Sequence, residues 1–241
     1  ANLKSLALFN RSSQFTGEPA TNNQTVNKLA DKIWAQLRDL PPSRWTIYAQ
    51  IHLAEQMMVQ ESVVEEEFQA IAPGSNGTGS NTVGNAYPTE FQAQGDVVQV
   101  APSSLTVLAR AIRQARMLED KRAESYGLGQ LGNLYEQVGQ GLDSLDLTQE
   151  AIALANDIQA DNLAAFWYWQ EGRLLTQLDR KGEAIKSYSA AVQRLDALGQ
   201  DLVAVSSDIQ FSYRDQVEPI YRQLVQLLLE DVDARPEAEQ Q

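Results

Sequence analysis

The sequence predicts an all-α chain of stacked antiparallel helix pairs closed by a capping C-terminal helix. Three observations carry that expectation. Apolar residues recur at three-and-four spacing in one segment after another, the signature of helices with one buried stripe. An alanine returns at 30, 111, 151 and 191, so the later segments repeat with a period of forty. Alternating β-branched runs of useful length are missing, and Asp96-Val97-Val98-Gln99-Val100 is only a weak one.

The first helix is read from Val26, Leu29, Ala30, Ile33, Trp34, Leu37 and Leu40, which lie on one stripe until Pro41-Pro42 stops the chain from coiling further. Ser43 then stands where an N-cap belongs. The helix it opens runs to about residue 60, with Tyr48, Ile51, Ala54 and Met58 expected inward. Ser103 or Ser104 caps the next, which carries Leu105, Leu108, Ala111, Ile112, Ala115 and Leu118. Four more helices are expected at about 122–138, 142–157, 162–178 and 182–198, separated by Gly139-Gln140-Gly141 and Asp179-Arg180-Lys181-Gly182. A last apolar stretch, Glu218 to Glu230, surrounds Pro219, whose ring suits a first turn or a kink. It is expected to cap the final pair.

An offset of forty lays Gly132 on Gly172, Leu134 on Leu174, Leu145 on Ile185 and Ala151 on Ala191. The earlier step from Ala30 to Ala111 exceeds one period by about 41 residues, and segment 61–102 has nearly that length. Residues 44–60 and 103–118 are therefore the two helices of one repeat, parted by an insertion. The whole of 1–229 is read as a single repeat domain, followed by a tail or linker at 230–241.

Charge follows the same division. The chain has 241 residues, 32 acids against 19 bases and a formal net charge of −13. The insertion carries Glu61, Glu65, Glu66, Glu67, Glu90 and Asp96 with no base, and the tail from Glu230 adds a further −4, so the body is nearly balanced. Pro73 to Asn81 is too rich in Gly, Ser and Asn to offset its ordering entropy by burial, so a solvated loop is expected there. With no cysteine, thiolate nucleophiles, disulfides and thiolate metal sites are excluded. His52 is the one imidazole, which excludes multi-histidine metal sites. The acidic balance removes the attraction that dominates nucleic-acid affinity. No apolar run approaches the roughly 20 residues that span a bilayer.

Leu131-Gly132, Tyr135 and Ala151 in one unit, and Tyr168, Gly172, Ala184, Tyr188 and Ala191 in the next, resemble the tetratricopeptide repeat (TPR). The period of forty exceeds that family's usual one, so longer helices are implied. A further resemblance lies in Leu40-Pro41-Pro42-Ser43-Arg44, in Arg122 to Gly129, in Asp201 to Val205 and in Gln210 to Arg222. These strings are similar to the repeat region of bacterial, chiefly cyanobacterial, CHAT-domain proteins. In those a caspase-like domain with a catalytic histidine and cysteine follows the repeats. No catalytic residue carries over to a chain without cysteine, and a bacterial cytoplasmic setting is the one the resemblance favours, with export of a longer protein left open.

Stacked pairs of this kind form a right-handed solenoid whose first helices line a concave face. The repeat register places Trp45, Tyr48, His52, Glu55 and Gln56 there from one unit. Tyr126, Asn133, Glu136 and Gln137 follow from the next, and Phe166, Trp169, Arg173 and Gln177 from the last. Aromatic anchors among amides and single charges suit the capture of a peptide or partner protein. Within Phe166-Trp167-Tyr168-Trp169, Tyr168 is expected inward and Phe166 and Trp169 toward the groove. His52 and Glu55, three apart, are expected to form a hydrogen-bonded pair. Gly127-Leu-Gly129-Gln-Leu-Gly132 spells a dinucleotide fingerprint, but no strand precedes it, and Gly132 is read as a packing residue. The expectation is a non-catalytic protein-interaction scaffold without cofactor or metal. The rival is a substrate-positioning repeat region of a larger CHAT protease, and a third reading is self-association through an exposed terminal helix.

Overall fold

The computed structural model describes residues 20–58, 103–202 and 207–233, and every regular element among them is α-helical. In chain order these are α1 (Ala20–Leu37), α2 (Arg44–Met58), α3 (Ser104–Met117), α4 (Lys121–Gln137), α5 (Gly141–Asp157), α6 (Asp161–Gln177), α7 (Lys181–Leu202) and α8 (Ser207–Asp233). The whole insertion 61–102, with its Gly-rich loop and weak strand, and the acidic tail after Asp233 lie outside the described residues. The chain divides into two compact units, Ala1–Gln114 and Ala115–Gln241.

In the first unit α1 packs against α2. Ser43 opens α2 as expected: its Oγ accepts from Thr46 N at 3.2 Å, and its own N–H donates to Thr46 Oγ1 at 2.8 Å. Ser103, rather than Ser104, caps α3, its Oγ accepting from Thr106 N at 3.2 Å. The core side of α2 is Ile47, Gln50, Ile51, Leu53, Ala54, Met57 and Met58. Tyr48, expected inward, is only half-buried, because the buried stripe passes through Ile47 instead. Gln50 is wholly buried, and its Nε2 donates to Gln114 Oε1 at 3.1 Å, which ties α2 to α3 across the insertion. Arg110 reaches back from α3, donating to Arg38 O at 2.6 Å and lying 5.5 Å from the Trp34 ring centre.

The second unit is a run of helices in which each packs on the next from α4 to α8, and α4 also touches α6. Hydrogen bonds fix the directions. Between α4 and α5 they join Gly132 to Ser144 and Ser125 to Ala151, so later residues of one meet earlier residues of the other and the pair is antiparallel. Between α4 and α6 they join Arg122 to Asn162, Ser125 to Trp167 and Gly129 to Gln170, so these helices run parallel about one period apart. The forty-residue repeat is thus a repeat of helix pairs.

The turns recur at half that interval. Glu119, Gly139, Gln159 and Asp179 all have positive φ, between 53° and 76°. At each, the residue's N–H returns three positions and the next N–H returns five, as in Asp120 N to Ala115 O at 2.9 Å and Arg180 N to Leu175 O at 2.8 Å. This is the Schellman ending, which satisfies the orphan carbonyls of a helix C-terminus. The residue after each left-handed one stands immediately before the next helix, so three residues suffice to reverse the chain. Asp120 makes the first of these starts a capped one, its Oδ1 accepting from Ala123 N at 3.1 Å.

The core of this unit gathers Leu145, Ala165, Leu174, Leu175, Ala184, Tyr188, Ala191 and Leu195 with Val217, Ile220 and Leu227 of α8. The last helix therefore covers the final pair. It is longer than the apolar pattern suggested: it begins at Ser207, so Pro219 lies within it and not in its first turn, and Glu230 to Asp233, expected in the tail, are still helical.

Candidate functional site

Three glycines let the helices approach. A Cβ on Gly129 would come within 2.4 Å of the Trp167 ring, and one on Gly172 within 2.7 Å of the Tyr188 ring. On Gly132 it would meet Thr148 Oγ1 at 2.8 Å, Gln170 Nε2 at 2.9 Å and the Ser144 carbonyl at 3.2 Å. The G-x-G-x-x-G spelling is therefore a contact surface inside α4, and neighbouring side chains fill the space a pyrophosphate would need. Around it runs a buried polar chain. Ser125 Oγ accepts from Trp167 Nε1 at 3.2 Å and donates to Ala151 O at 2.8 Å. Gln170 Nε2 donates to Gly129 O at 3.1 Å and to Thr148 Oγ1 at 2.8 Å. The donors Trp167 Nε1, Ser125 Oγ and Gln170 Nε2 each have an acceptor here, as low-dielectric surroundings demand.

That packing decides the aromatic run. Trp167 is the buried member, its ring seated on Gly129. Tyr168, expected inward, is half-exposed: Arg194 lies 4.5 Å from its ring centre, and its Oη accepts from Asn156 Nδ2 at 3.1 Å. Phe166 is exposed and Trp169 half-buried. Sequence pattern put the inward position one residue late because Tyr168 was matched to the repeat's aromatic, whereas Gly129 on the corresponding helix of the preceding repeat selects Trp167.

On α4 and α6 the register sets Tyr126 beside Phe166, Asn133 beside Arg173 and Gln137 beside Gln177 at equivalent positions, so each helix carries the same stripe. Tyr126 is half-buried with its ring centre 6.1 Å from that of Trp167. Asn133 is half-buried, and Gln137 and Gln177 are exposed. Glu136 and Arg173 join the two helices, with Arg173 Nε 3.2 Å from Glu136 Oε1 and Nη2 2.8 Å from Oε2. Gln177 Nε2 also donates to Glu136 Oε1 at 3.2 Å. The guanidinium lies 4.7 Å from the Trp169 ring centre. Trp169 Nε1 in turn donates to Gln223 Oε1 at 2.7 Å, and Tyr188 Oη donates to the same oxygen at 3.1 Å. Burial pushes the Tyr188 phenol above its usual range.

Gln223 was not legible as a member of this cluster. The forty-residue offset from Trp169 lands on residue 209, but α7 continues to Leu202 and α8 starts only at Ser207, so the register is broken before α8.

In the first unit, Trp45, Tyr48, His52, Glu55 and Gln56 share one side of α2, with Trp45 84 % exposed. His52 Nδ1 is 2.8 Å from Glu55 Oε2, and that hydrogen bond, outweighing partial burial, raises the imidazole pKa above 6.5. The Tyr48 and His52 rings are 6.4 Å apart. Among the described residues no three His, Asp or Glu side chains are placed to hold a metal ion, and no helix is long and apolar enough to cross a membrane.

No family model matches the chain, and no curated protein does. Among solved structures it is similar to a crystal structure described as kinesin light chain nearly identical TPR-like repeats, from Podosopora anserina. The identity is 11 %, over 96 % of this chain and 97 % of that one, with a TM-score of 0.49.

Proposed function

We propose that the chain is a protein-interaction scaffold without catalytic machinery of its own, holding a peptide or partner protein against the stripes that α4 and α6 present. The observation that carries this reading is the repetition of one stripe, Tyr126, Asn133 and Gln137 on α4 and Phe166, Arg173 and Gln177 on α6, on two parallel helices. A surface built twice in the same register offers an aromatic, a polar group and an amide at regular intervals, which suits a ligand that is itself a chain. On the first unit, Trp45, Tyr48, His52, Glu55 and Gln56 of α2 are proposed as a candidate surface in their own right.

The test uses side chains that the fold does not need. Trp169 and Arg173 are poor choices, since Gln223 and Glu136 depend on them. Phe166→Ala combined with Gln137→Ala leaves the core intact. Partner capture is expected to fall at least tenfold; because Phe166, at 37 % exposure, buries much of its ring, the thermal unfolding curve is recorded alongside and capture is compared well below the melting transition. Unchanged capture by that double variant refutes the assignment.

A second reading places the same surface in a larger CHAT-type protease of bacterial origin, as a region that positions substrate. It is supported by the strings resembling that family, Gln210 to Arg222 above all. Its test is genetic: the reading frame beyond residue 241 either encodes a domain with a histidine and cysteine pair or does not.

A further inference from the structure

Among the described residues nine large apolar side chains are exposed, and three of them, Val225, Leu228 and Leu229, stand within five positions of α8. Gathered in this way they form a patch that asks for a cover, where scattered ones would not. The helix has already spent its other side: Ile220 and Leu227 enter the core, and at about 100° per residue Leu229 stands directly opposite Ile220. On the outer side Arg222, Val225 and Leu229 follow one another at steps of three and four, and the sequence continues the series at Val232. That spacing, about three and a half residues on average, is the narrow seam along which two helices pair.

The charges along the seam decide which helix fits it. From Val217 to Asp233 the one base is Arg222, near the start, while the acids Glu230, Asp231 and Asp233 gather at the end. Lys181, 3.5 Å from Glu230, offsets only one of them. The Arg222 side chain is 70 % exposed, and its one hydrogen bond, 2.7 Å from Nη2 to Glu218 Oε1, lies a turn before the apolar patch. A second α8 laid alongside in the reverse direction, with Val225 level with Leu229, brings each Arg222 level with the other's Val232 and within one residue of its Asp233. Laid in the same direction, it would set Arg222 against Arg222 and acids against acids, which repel. The seam is thus complementary to itself when reversed.

We propose that α8 is a self-association surface, on which two copies of this chain pair through Val225, Leu228 and Leu229 with their α8 helices antiparallel and Arg222 of each at the acidic end of the other. Such a contact is isologous and closes at two copies. Three apolar side chains from each copy bury far less than the roughly 800 Å² per partner of a standard stable interface, so the pair forms at high concentration and separates on dilution. The stripes of α4 and α6 take no part in it, and its test is independent of theirs.

Sedimentation equilibrium of the full chain over about 5 to 500 µM measures the pairing. The mean mass is expected to climb from 26.7 kDa toward twice that value. Leu229→Lys, shown to be folded by circular dichroism, is expected to stay monomeric throughout. Arg222→Glu is expected to weaken the pairing about tenfold or more, and adding Asp233→Arg, which exchanges the charges of the two ends, to restore it to within about threefold of the original. A mass that never rises, a mass that climbs past two copies, or pairing indifferent to Leu229→Lys overturns the proposal. Pairing that Leu229→Lys abolishes but Arg222→Glu leaves unchanged, or that Asp233→Arg fails to restore, overturns the antiparallel arrangement and the proposal with it.

Discussion

His52 offers a clean view of one side chain, because the chain holds no other imidazole to confuse a titration. Its hydrogen bond to Glu55 favours the protonated ring, so the folded pKa stands above the unfolded one. The stabilisation this gives is fully present below about pH 6.5 and is lost as pH rises through the folded value. Glu55→Gln is expected to bring the pKa down toward the free value, read from the ring-proton shifts by NMR, and an unchanged midpoint would contradict the bond. Gly132 makes the opposite kind of case, a residue whose missing side chain matters. Its neighbours include the backbone carbonyl of Ser144, which cannot swing aside as a flexible side chain does. Gly132→Ala is therefore expected to cost about 1–3 kcal/mol despite the better helix propensity of alanine, as overpacking does elsewhere. Denaturant titration measures it, and a stabilised Gly132→Ala variant would show that the helices have room to part.

Among the elements, the turns are where sequence and structure diverge most usefully. Helix positions from α4 to α7 were legible to within a residue or so at their starts, because apolar spacing and the forty-residue alanines reinforce one another. The twenty-residue recurrence of the turns was not, since only Gly139 announces the left-handed conformation and Glu119, Gln159 and Asp179 adopt it unannounced. A residue with a Cβ pays about 1–2 kcal/mol for that conformation, of which glycine's greater freedom in the unfolded chain returns a part. Gln159→Gly is thus expected to stabilise the protein by about 0.5–1 kcal/mol, and Gly139→Ala, which meets nothing within 4 Å, to destabilise it by a similar amount through backbone strain alone. Thermal melts of both variants settle the pair; shifts of the same sign in the two would be incompatible with a shared turn geometry. The candidate surface was legible for the same reason as the helices. Phe166 and Gln177 follow from Tyr126 and Gln137 by simple translation, whereas Gln223 sits beyond the break in register and Trp167 is chosen by Gly129, a contact no single-helix pattern contains.

For the molecule as a whole, a tandem array is stable only as far as each pair is covered by the next, so its last covered surface governs how it comes apart. In the second unit α8 supplies that cover: Val217, Ile220 and Leu227 enter the core beside Tyr188 and Leu195, while Val225, Leu228 and Leu229 on its other side remain exposed. Ile220 is completely buried, and truncating a buried isoleucine to alanine costs about 2–5 kcal/mol through lost transfer energy and the cavity left behind. Leu229→Ala, at 62 % exposure, is expected to change stability by no more than about 0.5 kcal/mol. Because neighbours support neighbours, the damage from Ile220→Ala is expected to fall off along the array. Amide hydrogen exchange should quicken most in α7 and α8, less in α6, and least in α4 and α5. Uniform acceleration across all five helices would mean that they unfold as one cooperative block, and the nearest-neighbour account of this array would then have to be abandoned.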